Sequence, residues 1–365
     1  MKERKTQQAR YVGIDLGKRT YEVAIVGDGG KVTLSNGKTS MQERQALYKK
    51  LRPQDKVALE AGNMAFIMAK EIEAAAGSQV YVLNPSQLPL IYGSMKKTDK
   101  EDALKLAHIL EDIREERLPV VAVPSDKEME RRKVLASYRR EQQSRTRAIN
   151  RLHGLFVSVG ITTMRKKDLA TAQRRGEAVK ELKGFEREEA EHLLQCLVLY
   201  EGRIKKLEKR IDQEAAEDEQ MRQLQTVPGV GPKVSFAFVS HVAAERFENA
   251  DQVSNYLGLV PRVYISGDTV RYGKITKRGN GYVRALLVQA AWSIARTKQG
   301  GNLKLRYEYM TKEKGISKKK TVVSMARRLA VLLYTLMKDG AVYESRPFKK
   351  GKGCGEATAQ IALSA

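Results

Sequence analysis

The chain has 365 residues, with 67 Lys and Arg against 43 Asp and Glu, giving a formal net charge of +24 and a pI near 9.8. That balance points to a polyanionic partner, nucleic acid first, over a merely basic soluble or ribosomal-type protein. Two distant cysteines exclude a disulfide scaffold and a cysteine zinc site, no apolar run is long enough for a membrane span, and the charged start lacks the apolar core of a signal peptide.

A cytoplasmic protein of two or three domains is therefore expected. The four histidines, His108, His153, His192 and His241, show no metal-ligand spacing. In chain order, residues 11–27 read as two strands joined by a short turn, and a third strand follows over 31–34. A helix is expected over 40–51, a buried strand over 56–59 ending at Glu60, a helix over 64–75 and a strand over 80–83. A polar turn, Lys96-Lys97-Thr98, precedes a helix from Asp99 to about residue 113. Three strands followed by alternating β and α elements predict an α/β layer with mixed strand direction over 1–122.

From 123 to 223 the chain reads as charged and helical, with helices over 126–156 and 178–220. In the second, Leu193, Leu197, Tyr200, Ile204, Leu207 and Ile211 step by 4, 3, 4, 3, 4, an a/d seam flanked by Glu and Lys. The seam fits two arrangements, a helical hairpin packed on itself and an intermolecular coiled coil. A third, mainly helical domain is expected over 224–342. It opens on Val227-Pro228-Gly229-Val230-Gly231-Pro232-Lys233, a glycine turn at a helix start whose N–H groups suit a phosphate and which is similar to the hairpin of helix–hairpin–helix DNA-binding modules. A simple helix–helix connection explains the same turn. Helices over 233–243 and 250–257, an irregular segment over 258–281, and helices over 281–297, 302–312 and 320–338 follow. The stretch 343–365 reads as a basic, disordered tail.

The acidic residues Asp15, Glu60, Asp99 and Asp102 sit at strand ends and at one helix start of this basic chain. If the strands ending at Asp15 and Glu60 are neighbours, those ends lie ~5 Å apart. Asp99 and Asp102 share a helix face. Four carboxylates this close repel one another, and divalent cations would neutralise them and grip a phosphate. Favourable placement at a helix N-terminus is the purely structural explanation for the last two. In an RNase H-like element order, four such acids favour a metal site.

The second candidate is the loop Tyr264-Ile265-Ser266-Gly267-Asp268-Thr269-Val270-Arg271. Ser266 precedes a glycine, with Arg262, Arg271, Lys274, Lys277, Arg278 and Arg284 around it. Together with Lys233 these are the expected nucleic-acid-binding residues. Serine is a weak nucleophile without activation, and no histidine is near in sequence. Arginine forks and a metal suit a pentavalent phosphate, while a surface turn with phosphate-touching cations is the simpler account.

The stretches YVGIDLGKRTYEVAIV, VALEAGN, VLNPSQ, KTDKEDALKLA, VPGVGPK and GLVPRVYISGDTVRYGKITKRGNGYVRALLVQAA, in this order, resemble the transposases of the insertion-sequence 110 family, relatives of the Piv invertases. The resemblance covers both ends of the chain, while the central helices match only in character. It implies an RNase H-like, RuvC-like N-terminal domain whose DEDD metal site maps to Asp15, Glu60, Asp99 and Asp102. Mg²⁺ is the implied cation, and Mn²⁺ accepts the same ligands. It implies a nucleophilic serine at Ser266 and a covalent phosphoserine–DNA intermediate. It further implies donor and target DNA as substrates, a structured noncoding guide RNA (the bridge RNA) that reads sequence by pairing, and a homo-oligomer, a tetramer built of dimers, with the two sites supplied in trans. The extension after about residue 347 lies outside the shared motifs. A RuvC-like metal nuclease without a covalent step, such as a junction resolvase, would need the acids and not Ser266. A non-catalytic nucleic-acid-binding protein would need neither.

Overall fold

A computed structural model describes residues 9–62, 64–88, 98–266 and 269–345, which fall into two compact units, Met1–Ser125 and Asp126–Ala365. The Lys96-Lys97 turn, Gly267 and Asp268 of the serine loop, and the tail from 346 lie outside the described residues.

The first unit opens with β1 (Tyr11–Leu16), β2 (Thr20–Val26) and β3 (Val32–Lys38), an antiparallel meander. Then come α1 (Met41–Tyr48), β4 (Lys56–Glu60), α2 (Ala65–Ala76), β5 (Gln79–Leu83) and α3 (Asp99–Asp112). The sheet order is β3-β2-β1-β4-β5, with β4 parallel to both β1 and β5. This is the mixed layer that the alternation of β and α elements predicts.

Side-chain alternation along the strands sorts the two faces. Val12, Ile14, Val57 and Leu59 pack with Leu47 and Tyr48 of α1 and Met68 and Ile72 of α2. The intervening positions meet α3: Ala24 and Val26 lie with Ala103 and Ala107, and Ala58 lies with Leu106 and Ile109. Gly13 belongs to this second face. A Cβ there would stand 2.0 Å from the Ala103 carbonyl oxygen and 2.6 Å from the Ala107 nitrogen, so only glycine lets α3 lie this close to β1.

The second unit is mostly helical. Its elements are α4 (Asp126–Ser158), α5 (Ala172–Val179), α6 (Gly184–Glu217), α7 (Glu219–Gln225), α8 (Pro232–His241) and α9 (Ala250–Tyr256). After them come β6 (Pro261–Ser266), β7 (Thr269–Ile275), α10 (Gly281–Arg296), α11 (Gly301–Glu308) and α12 (Lys318–Asp339). The expected single helix over 178–220 is broken: α6 begins at Gly184, and Asp218 ends it and caps α7 by accepting from the Met221 N–H at 3.2 Å.

Helices α4 and α6 form an antiparallel pair. Leu193 and Leu197 meet Ala148, Leu152 and Phe156, while Ile204, Leu207 and Ile211 share a core with Val134, Leu135 and Tyr138. The a/d seam is thus used inside the chain, as the helical-hairpin arrangement requires, with Tyr200 at its margin. The same core continues into α7, α8, α10 and α12.

The segment expected to be irregular, 258–281, is a β-hairpin. Ser266 pairs with Thr269, Ile265 with Val270, Tyr264 with Arg271 and Val263 with Tyr272. Arg and Lys at alternate positions and an internal Gly273 mask the period-two pattern, but Val-Tyr-Ile and Thr-Val-Arg-Tyr carry strand-forming residues across a two-residue connection.

Candidate active-site regions

The N-terminal region is built from strand ends and a helix start. β1 and β4 are parallel neighbours in register, Ile14 opposite Leu59, so Asp15 and Glu60 follow side by side at the same end of the sheet. Period two carries Asp15 to the same face as Gly13, and Glu60 to the same face as Ala58. That face is the one α3 covers, and α3 begins with Asp99 and Asp102. Thr98 caps it, its hydroxyl accepting from the Glu101 N–H at 3.3 Å.

Electrostatics registers the convergence. The Asp15 carboxyl is pushed above its ordinary range, first by burial, then by the negative fields of Asp99, Asp102 and Glu60, with the Leu16 N–H pulling the other way. Asp15 and Glu60 also line a cleft of ≈ 490 Å³ with Gly17, Lys18, Ala61 and Met64. Asp102 accepts from the Lys105 ammonium at 2.9 Å.

Among the described residues, no three acidic, histidine or cysteine groups stand close enough together to hold a metal ion as placed. The four carboxylates share one field without sharing one coordination point. Their chemistry still fits a hard divalent cation, because all four are carboxylate oxygen donors. Lys18, Lys105 and Gly13 are parts of this region that motif reading passes over.

The second region is the β6–β7 hairpin, which stands out from the helical core with nearly all of its residues exposed. Its register divides it into two faces. Val263, Ile265, Val270 and Tyr272 make an apolar one. Tyr264, Ser266, Thr269 and Arg271 make a polar one, and Arg262 and Tyr264 share it with Gly273, whose Cβ position is 3.5 Å from the Arg262 Cβ and 3.0 Å from the Tyr264 ring. Ser266 therefore shares its side with Arg262 and Arg271, as the basic-loop reading requires, and with Tyr264, whose part the register alone reveals.

The hairpin's base is fixed by backbone contact. Gly258 and Gly279 have φ of +64° and +68°, and a Cβ on Gly279 would fall 1.9 Å from the Tyr256 carbonyl oxygen. Arg284 donates to the carbonyls of Leu257 and Arg278, each at 2.9 Å, so its guanidinium ties the hairpin's stem to α10. Lys277 and Arg278 lie exposed in that stem, and Lys274 on β7 is exposed as well.

Lys233 is differently placed. Its ammonium donates to Glu208 at 2.5 Å and sits 5.1 Å from the Tyr138 ring centroid. Burial opposes its charge, but hydrogen bonds to Glu208 and Tyr138 outweigh that and hold it up at about 12. Val227 and Val230 of the preceding glycine turn, which joins α7 to α8, are buried in the helical core.

Comparison with known proteins bears on both regions. Residues 12–161 match the DEDD transposase model of the IS110 group, and residues 221–308 match the model described as "Transposase IS116/IS110/IS902 family". A Pseudomonas aeruginosa protein named "Probable family 20 transposase" is 28% identical over 302 residues, covering 78% of this chain and 84% of that one. The transposase for insertion sequence element IS1328 of Yersinia enterocolitica is 26% identical over 291 residues, covering 77% and 82%. The transposase for IS1111A of Coxiella burnetii is 22% identical over 352 residues, covering 94% and 93%. The first match contains all four acids, and the second contains the whole β6–β7 hairpin.

Proposed function

The chain belongs to the IS110 family of insertion-sequence transposases, and we propose that it exchanges DNA strands through a covalent link to Ser266, with Asp15, Glu60, Asp99 and Asp102 as its divalent-metal site. A transposase is a DNA-cleaving and DNA-joining enzyme, and a DEDD domain goes with dependence on a divalent metal in general terms. The finer assignment rests on the carboxylate cluster: Asp15, half-buried, carries the combined field of three other acids on an otherwise basic chain. The RNase H-like reading of the first unit rests on its β3-β2-β1-β4-β5 order.

Mg²⁺, or Mn²⁺, held by these oxygens would offset the charge of a DNA phosphate and of the oxygen that leaves it. The chain supplies the rest. The Ser266 Oγ attacks the phosphorus, a Ser–O–P bond forms, and the P–O bond to the DNA strand breaks. The serine proton ends on the departing DNA hydroxyl. Rejoining reverses this: a DNA hydroxyl attacks the phosphoserine, and the proton returns to Ser266. One phosphoester is present throughout, so no external energy source is required. Arg262 and Arg271, on the same side of the hairpin, bind the phosphate oxygens through fixed guanidinium forks and stabilise the charge that builds up on them.

Target and donor choice is assigned to a structured guide RNA that pairs with each DNA. The net charge of +24 accommodates two kinds of nucleic acid. The working form is a homo-oligomer whose subunits contribute the acid cluster and the serine to one another. Phe185, Val198 and Leu199, apolar and exposed on α6 outside the buried seam, supply surface for such a contact.

Metal removal tests the acid cluster. Chelation of divalent cations is expected to abolish strand cleavage while leaving DNA binding in place, and Glu60→Gln is expected to lower cleavage by at least about 10². Cleavage at the wild-type rate in excess chelator would refute the metal-site assignment.

A further inference from the structure

Helix α4 (33 residues) carries eight cations between 131 and 151, of which Arg132 donates to the Ser240 carbonyl and Arg139 lies over the Tyr282 ring. Where the helix faces α6, each cation has a carboxylate partner. Arg131 donates to Glu214 and Asp218 at 2.5 and 2.6 Å, and Arg145 donates to Glu201 at 2.8 Å. Arg151, at the border, reaches Glu189 at 2.5 Å. On the side turned away from α6 lie Lys133, Arg140 and Arg147, all exposed, with no carboxylate partner among the described residues. Arg147 donates to the Ser144 hydroxyl at 3.1 Å.

Between 133 and 147 no acidic residue of α4 shares that side, although Asp126, seven residues before Lys133, stands on it at the helix start. Glu128 is paired with Arg246, and Glu130 is paired with Arg210 of α6. Glu141 lies to one flank, about 80° from Lys133, about 100° from Arg140 and about 120° from Arg147 at 100° per residue. The positions nearest the three cations around the helix are Ala136, Ser137, Gln143 and Ser144, all small or polar.

Lys133, Arg140 and Arg147 recur every seven residues. On a helix rising 1.5 Å per residue that is about 10.5 Å, close to the axial rise of three phosphate-to-phosphate steps along one strand of duplex DNA. The side has no aromatic residue to stack on an unpaired base and no large apolar residue to bury against a protein. We propose that this outer side of α4 binds the sugar–phosphate backbone of duplex DNA beyond the reacting phosphate, holding the substrate by charge along the length of the helix. The contact is sequence-independent and positions the DNA.

The test is a salt titration of binding with the full-length chain and a labelled duplex DNA. Wild type is compared with the triple variant Lys133→Ala, Arg140→Ala, Arg147→Ala. A control variant removes three exposed lysines of α6, Lys205→Ala, Lys206→Ala and Lys209→Ala. Removing three phosphate contacts is expected to reduce the slope of log K against log salt by about 2.7 in the α4 variant, with little change in the control. A slope change in the α4 variant no larger than in the control would overturn the proposal. So would a change seen with duplex RNA and absent with duplex DNA. Ser266→Ala is expected to keep the wild-type slope, so failure here is distinguishable from failure of the serine assignment.

Discussion

A half-buried carboxylate in the field of three others is costly to keep ionised, and Asp15 is in that position. Its folded value lies above its ordinary one, so the folded chain holds the proton more tightly there than the unfolded chain does. Stability contributed by this group is present at low pH and is lost as pH rises through the interval between those values. Asp15→Asn in metal-free protein is therefore expected to raise Tm by a few degrees at neutral pH, a gain that fades as pH falls to about 4. Added Mg²⁺ should raise the Tm of wild type more than that of the variant. Differential scanning calorimetry at several pH values decides it, and a lower neutral-pH Tm for the variant would contradict the strained-carboxylate account. The four acids were legible in sequence because each follows an apolar run or opens a helix. Gly13 was not: its need for a bare Cα comes from the Ala103 carbonyl, ninety residues away. Nor was the engagement of Lys233, whose partner Glu208 lies on a different helix.

At the scale of elements, the hairpin is the clearest departure from the sequence reading. Two short strands full of Arg, Lys and Gly look irregular when judged by composition, yet their register gives one apolar and one polar face. The strands of the first unit were easier to read, because burial on both sides makes β4 a short continuous apolar run, Val57-Ala58-Leu59. The heptad seam was legible as a packing surface, but its partner was not. Only the structure shows that α4, from the same chain, fills it. The hairpin's dependence on its stem leads to a prediction. Gly279→Ala forces a side chain into the Tyr256 carbonyl at a left-handed position and is expected to cost about 1–3 kcal/mol. Because it also moves the stem under Ser266, strand cleavage should fall more than this stability loss explains. Urea unfolding beside a cleavage assay measures both. A variant with wild-type stability and cleavage would show that the stem does not fix the hairpin.

Taken whole, the molecule places its acid cluster on one compact unit and its serine hairpin on another, and a large positive charge covers the chain that carries them. Charge of this size makes affinity for nucleic acid steeply salt-dependent while saying little about which sequence is bound. Among the described residues, no helix is long and apolar enough to cross a membrane. Covalent trapping tests most directly that both units serve one reaction. The chain, the proposed guide RNA, Mg²⁺ and end-labelled donor and target DNA are combined and resolved on a denaturing gel, beside Ser266→Ala and Asp15→Ala. A protease-sensitive protein–DNA adduct formed by wild type and absent from both variants is the predicted result. DNA cleavage without an adduct, undiminished in Ser266→Ala, would contradict the account and leave a metal nuclease in its place.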